Sequence, residues 1–405
     1  MPCPYIGTLV GRCLMRVFGL VLAVVFVGCS GSSGGNEAAG DGGFTKTPEQ
    51  HAMPKTLLVA KRTPVEKAHF PAIDFHFHGG GLKTAEDYRK LVGVMDDVGV
   101  AMISNMDGGS RERLDQNLAL NSQFADRFIT FARVDWEGVN EPGWSEQATV
   151  ELERCFRAGA QGLKISKRLG LSLQNADGSY IQCDDPRLDS IWELCARMQK
   201  PVMMHLSDAV ARFHPIGPEN ERYESGMWRS TDEGNYYGTD IPNHKTIFEH
   251  RARMLDKHPE TTYVMAHVAS MGWDLGRVEK LLDERPNVHV EISARLQELG
   301  RQPYAARRFI LKYQDRVLFG SDGDPSREAD DFWRPHWRFL ETDDEYFDHP
   351  AQMLSPLGAP LQGRWKIYGI FLPDEVLRKV YYENALRFLP GAREAMKRHL
   401  SAAGG

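Results

Sequence analysis

Cysteine is scarce in this chain of 405 residues, six in all, and the placement of the six excludes a disulfide framework. Cys3, Cys13 and Cys29 lie in or beside an N-terminal apolar run, which leaves Cys155, Cys183 and Cys195 for the rest of the molecule. For these three the sequence leaves one bridge or plain core packing open. Zinc-knuckle spacing is absent as well. Basic charge is not in excess: 49 Lys and Arg face 55 Asp and Glu, a formal net charge of −6. Without a basic stripe nucleic acid is not the expected partner, and a small-molecule substrate is. The N-terminal apolar run is too short to span a bilayer comfortably.

That run has a layout of its own. Arg12 and Arg16 precede apolar residues 17–27, which end in Val27-Gly28-Cys29-Ser30. The arrangement resembles a bacterial lipoprotein signal with Cys29 as lipid acceptor, Phe26 replacing the Leu usual three residues before the cysteine. It implies export and anchoring to a membrane through Cys29. Ser30 in place of Asp implies, by resemblance to Gram-negative lipoproteins, the outer membrane facing the periplasm. Residues 30–43 are mostly Gly, Ser, Asn and Ala and read as a flexible tether. The expected division is a signal at 1–29, tether and lead-in at 30–68, one catalytic domain at 69–395 and a tail at 396–405. Assembly into a homo-oligomer is left open.

From about residue 69 short apolar runs alternate with amphipathic stretches. Strands are expected at 72–76, 100–105, 128–134, 161–165, 201–205, 262–267, 287–292 and 316–321, with helical patterns between them. Eight near-continuous apolar strands in β-α alternation predict an α/β fold, a (β/α)8 TIM-type barrel. A doubly wound sheet is the second choice, and no glycine-rich phosphate fingerprint follows the first strand. Long connections follow strand five (207–241) and strand eight (323–372), the latter carrying Trp333, His336 and Trp337. At the carboxyl end of a barrel such loops form site walls or surface elaboration.

The first strand, Ala72-Ile73-Asp74-Phe75-His76-Phe77-His78, places Asp74, His76 and His78 on one face by its alternation. Two imidazoles so spaced can reach one cation, or can be satisfied core residues. Further polar groups fall at other strand ends: His205 after Val202-Met203-Met204, His267 after Tyr263-Val264-Met265-Ala266, and Asp322 after Leu318-Phe319-Gly320-Ser321. All five residues would converge on one mouth.

On His76-Phe77-His78, His205, His267-Val268, Phe319-Gly320-Ser321-Asp322 and Glu383-Asn384-Ala385, the chain resembles the amidohydrolase superfamily over about residues 71–390. The likeness is to the amidohydrolase-related branch of aminocarboxymuconate-semialdehyde decarboxylase, resorcylate decarboxylases and lactonases. It implies one divalent ion, zinc with manganese as alternative, on His76, His78 and His205. Asp322 would be a further ligand or take the proton of an activated water, and His267 would orient that water, polarise a carbonyl or protonate a leaving group. Asp74 would fix a ligand tautomer or bond to backbone. Lys164 would bind a substrate oxyanion or pair with an Asp or Glu of the barrel, or less expectedly bridge two metals as a carboxylated lysine. Arg133, Arg168, Arg295 and Glu291 are further pocket candidates. The implied reaction is metal-dependent hydrolysis of a lactone, ester or amide, with non-oxidative decarboxylation as the rival.

Overall fold

The computed structural model describes residues 56–215, 217–223, 235–325, 331, 333–349 and 365–403. The expected signal, its Cys29 and the tether through residue 43 lie outside the described residues, as does much of the connection after strand eight. Among the described residues no helix is long and apolar enough to cross a membrane.

Eight strands form one parallel sheet in sequential order: β1 (Ala72–Phe77), β2 (Val100–Gly109), β3 (Phe128–Arg133), β4 (Gly162–Ile165), β5 (Val202–Met204), β6 (Tyr263–Met265), β7 (Val288–Glu291) and β8 (Val317–Leu318). Every residue of β4 to β8 is buried, as sheets covered on both faces require. The barrel closes where β8 returns to β1. Phe75 N donates to Phe319 O at 3.0 Å, Asp322 N to His76 O at 2.7 Å and His78 N to Gly323 O at 2.8 Å. The predicted α/β (β/α)8 barrel is therefore the observed fold.

Helices stand where the periodicity places them. In Ala85–Val98, Thr84 and Asp87 form a reciprocal capping box, and Gly99 ends the helix with φ 86°. Tyr88, Leu91, Met95 and Val98 make its buried stripe. The helical stretch from residue 374 is broken by a π-turn at Lys379–Glu383 between Asp374–Arg378 and Asn384–Phe388, and a further helix, Arg393–Ala403, follows. At the break the Asn384 amide donates to Gln314 O at 2.7 Å and Val317 O at 2.8 Å, tying this segment to β8. Cys155, Cys183 and Cys195 are buried free thiols, so packing is their fate.

Five strands end before their predicted ends, β3 and β7 by one residue each. β5, β6 and β8 stop before His205, His267 and Ser321, so these residues belong to the connections. The aromatic residues after β8 pack into the protein: Trp333, His336 and Trp337 are buried. Trp337 Nε1 donates to Val98 O at 2.9 Å. Trp333 stacks on Phe77 with centroids 5.8 Å apart and donates from Nε1 to Asp74 Oδ2 at 2.8 Å.

Asp74 is thereby the buried clasp of the seam, accepting also from Ser321 N (3.0 Å), Ser321 Oγ (2.5 Å) and His76 N (3.1 Å). Burial pushes its pKa up to about 7 against those four hydrogen bonds. Trp333→Phe keeps the stacking and removes one donor. It should cost about 1–3 kcal/mol, read as a lower urea midpoint at unchanged slope.

Candidate active site

His76 and His78 leave the end of β1 toward the carboxyl mouth, and each has its inner ring nitrogen bound. His76 Nδ1 lies 3.0 Å from Glu291 Oε1, and His78 Nδ1 lies 3.0 Å from Asp107 Oδ1. His267 Nδ1 lies 3.0 Å from Ser293 O. A ring nitrogen facing an acceptor carries the proton, so in their neutral forms all three imidazoles are held as Nδ1–H tautomers with Nε2 turned toward Asp322. Asp322 meets them there. Its Oδ1 is 3.2 Å from Nε2 of both His76 and His78, and its Oδ2 is 4.0 Å from Nε2 of His267.

Lone pairs facing a carboxylate repel unless positive charge sits among them. Lys164 supplies some of it, with Nζ 2.7 Å from His76 Nε2. The donor set suits a divalent cation: atoms of His76, His267 and Asp322 all lie within 4.8 Å of one another. The side chains of His78 and Asp322 are each 26% exposed, so the cluster opens to solvent on their side.

The titration directions follow from this packing. Burial, then Lys164, pushes the His76 pKa down. Burial also works on His78, yet Asp107 and Asp322 outweigh it and the net direction is up. His267 is pushed down to about 3 by burial and then by Arg295, so it is neutral at pH 7. For Asp322 burial opposes ionisation, but the positive charge that His76, His78 and His267 carry when protonated, with the hydrogen bond to His78, holds it well below the usual carboxylate range. Burial pulls Lys164 down to about 8, against the attraction of Asp322 and Glu291.

The backbone here is strained. His267, Val268, Ala269 and Ser270 all have positive φ, 59°, 53°, 58° and 57°, and Asp322 has φ 60°. A residue with a Cβ pays roughly 1–2 kcal/mol for the left-handed region, and a β-branched Val there is a true outlier. Glu291 Oε1 holds the start of the turn by accepting from His267 N at 2.7 Å. Asp322 is held at the barrel seam.

The other expected site residues fall as follows. His205 is beside His267, ring centroids 4.4 Å apart, but its Nε2 faces Ser207 O at 3.1 Å. Burial, then the neighbouring His267, keeps its pKa well below the ordinary value. Arg133 is spent on Asp107 and on Met106 O, and Arg295 on Glu298 Oε2 at 3.0 Å and Ala294 O at 2.7 Å. Asp74 touches no ring nitrogen; of the two roles expected for it the backbone one is observed, while Glu291 and Asp107 fix tautomers. Asp107 and Ser293 were not singled out from sequence. Asp107 sits in Asp107-Gly108-Gly109, which looks like a turn. Its signal was an acid at the end of strand two, level with His78.

Solved structures resembling the chain include 2,6-dihydroxybenzoate decarboxylase from Rhizobium, at 16% identity, TM-score 0.47, covering 79% of this chain and 99% of that one. A dihydroxybenzoic acid decarboxylase from Polaromonas with bound manganese and 2-nitroresorcinol matches at 15% identity and TM-score 0.49, covering 79% and 97%. A 4-oxalomesaconate hydratase from Rhodopseudomonas palustris matches at 15% identity and TM-score 0.46, covering 80% and 98%. Compared with curated proteins the chain finds no match. The family model described as amidohydrolase matches residues 73–391, from β1 to beyond the Asn384 anchor. On that match, which takes in all eight strands, the chain belongs to the amidohydrolase family of metal-dependent enzymes.

Proposed function

We propose that the protein is a hydrolase that directs water at a lactone, ester or amide carbonyl. The observation that carries this reading is Asp322, an ionised carboxylate with one oxygen against His76 and His78 and the other toward His267. One oxygen is thus engaged with the imidazole pair while the second is placed to take a proton. His76, His78 and Asp322 are the proposed ligands, joined by His205 once its Nε2 leaves Ser207 O, and their nitrogen and oxygen donors suit one zinc, with manganese as the alternative. A bound divalent cation would supply Lewis-acid polarisation of a substrate oxygen and acidify water. His267, neutral and anchored at Nδ1, orients water or accepts a proton through Nε2. It has no resting proton there to give a leaving group.

Lys164 favours a second reading, decarboxylation. A buried ammonium beside His76 is suited to hold a substrate carboxylate in the site. Arg133 and Arg295 contribute to either reading through the carboxylates they hold, Asp107 and Glu298. Screening the purified protein against lactones, esters, amides and hydroxybenzoic acids separates the two: lactone and ester hydrolysis releases acid in a pH-stat and amide hydrolysis releases amine, whereas decarboxylation releases CO2. CO2 release without any hydrolysis overturns the first reading.

Two variants test the assigned roles. His76→Ala should lose most of its zinc by elemental analysis, and chelator should abolish wild-type activity; full activity in chelator would sink metal dependence. Asp322→Asn keeps size but cannot take a proton at neutral pH. Its kcat should fall by about 100-fold or more with zinc still bound. Wild-type turnover in this variant removes the proposed base.

We further propose that the protein is exported and tethered to the outer membrane through Cys29, on the strength of the Arg12-to-Ser30 layout alone. Cys29→Ser should move it from the membrane fraction to the soluble one. A membrane-bound variant would show that another feature holds it there.

A further inference from the structure

Arg251 lies on the helix His244–Lys257, is buried, and has no carboxylate within ion-pair distance among the described residues. Its Nη1 donates to Ala269 O at 2.7 Å, its Nη2 reaches Met271 Sδ at 3.6 Å, and its guanidinium covers the Phe248 ring at 4.1 Å. Burying a guanidinium without an anion is expensive, so what it donates to must account for its place. Ala269 is the third of the four consecutive left-handed residues 267–270.

The turn is tied at both ends by other groups. Glu291 holds His267 N at 2.7 Å, and Ser270 Oγ donates to Ser207 O at 2.7 Å. Within the turn, Ser270 N donates to Ala266 O at 3.1 Å and Met271 N to Val268 O at 3.0 Å. These bonds close the turn on itself, but none joins its middle to the surrounding barrel. Arg251 makes that joint, with a charged donor on the carbonyl of Ala269.

We propose that Arg251 is a positioning residue: by binding Ala269 O it holds residues 267–270 left-handed and so keeps His267 Nε2 aimed at Asp322. The proposal rests on the reading of His267 as an active-site residue. It makes a demand that simple packing does not. Glycine enters the left-handed region without penalty, so Ala269→Gly, a loss of one buried methyl at φ 58°, should reduce the need for Arg251.

The test compares Arg251→Met, Ala269→Gly and the double variant with wild type, in full-length 15N-labelled protein titrated with zinc. The first readout is the slowly exchanging Nδ1 proton of His267, assigned by its absence in His267→Gln. In Arg251→Met this signal should vanish while that of His76, held by Glu291, persists. Zinc affinity measured by chelator competition should fall about 10-fold, because His267 packs with His76 and Asp322 in one donor cluster and Arg251 supports it from outside. Ala269→Gly alone should keep the signal and the wild-type unfolding temperature. In the double variant the signal should return, and zinc affinity should recover to within about 3-fold of wild type. An unchanged His267 signal in Arg251→Met overturns the proposal, as does failure of Ala269→Gly to restore it when both variants unfold cooperatively. If Arg251→Met does not fold, Arg251→Gln takes its place with the same criteria, and recovery of folding on adding Ala269→Gly supports the proposal. A wild type that shows the His267 signal but takes up no zinc defeats the proposed metal site and leaves the positioning role standing.

Discussion

The site is organised around the carboxylate of Glu291, at the end of β7. It accepts from His267 N, Ser293 N and Ser293 Oγ, and it faces His76 Nδ1. Three segments of the barrel, at β1, β6 and β7, are thus referred to one buried anion. Burial alone would raise its pKa, yet His76 and its other partners bring it down to about 2, so it stays charged. Space is reserved for it. A Cβ on Gly320 would stand 2.8 Å from Glu291 Oε2 and 2.9 Å from His76 Cβ, so only glycine lets the chain after β8 approach this closely.

The closure of the barrel depends on the same economy of space. β8 is two residues long, and its contact with β1 is made mainly by the segment that follows it. Asp74 gathers Ser321 and Trp333 across that seam, and Asp322 N reaches His76 O. Seam and site are therefore one structure. The hydrogen bonds that complete the barrel also set the distance between Asp322 and the two imidazoles of β1.

Much of this was legible in the sequence. Continuous apolar runs on both sheet faces gave away all eight strands, and alternation in β1 put His76 and His78 together. What could not be read is non-local. Ala266-His267-Val268-Ala269 contains no glycine and a β-branched residue, so local preference argues against a left-handed turn; Glu291, Arg251 and Ser207 impose it from elsewhere in the chain. Asp74 shares the parity of His76, yet partners more than 240 residues away draw it to the seam. His205 follows the same apolar-strand pattern as the others, but β5 ends before it and its Nε2 turns to a nearby carbonyl. Pattern fixes which end of the barrel a residue occupies, and the connections decide where its ring points.

Anchoring every inner ring nitrogen has a consequence for how protons travel. His76, His78 and His267 each commit Nδ1 to an acceptor inside the protein. None can rotate its ring to ferry a proton between solvent and substrate without first abandoning that partner. Such a site works as a fixed array rather than a relay, and any proton it exchanges must pass through the outward-facing atoms, the Asp322 carboxylate or a stationary Nε2. Among the described residues, the side where His78 and Asp322 are exposed is where such an exchange would meet solvent.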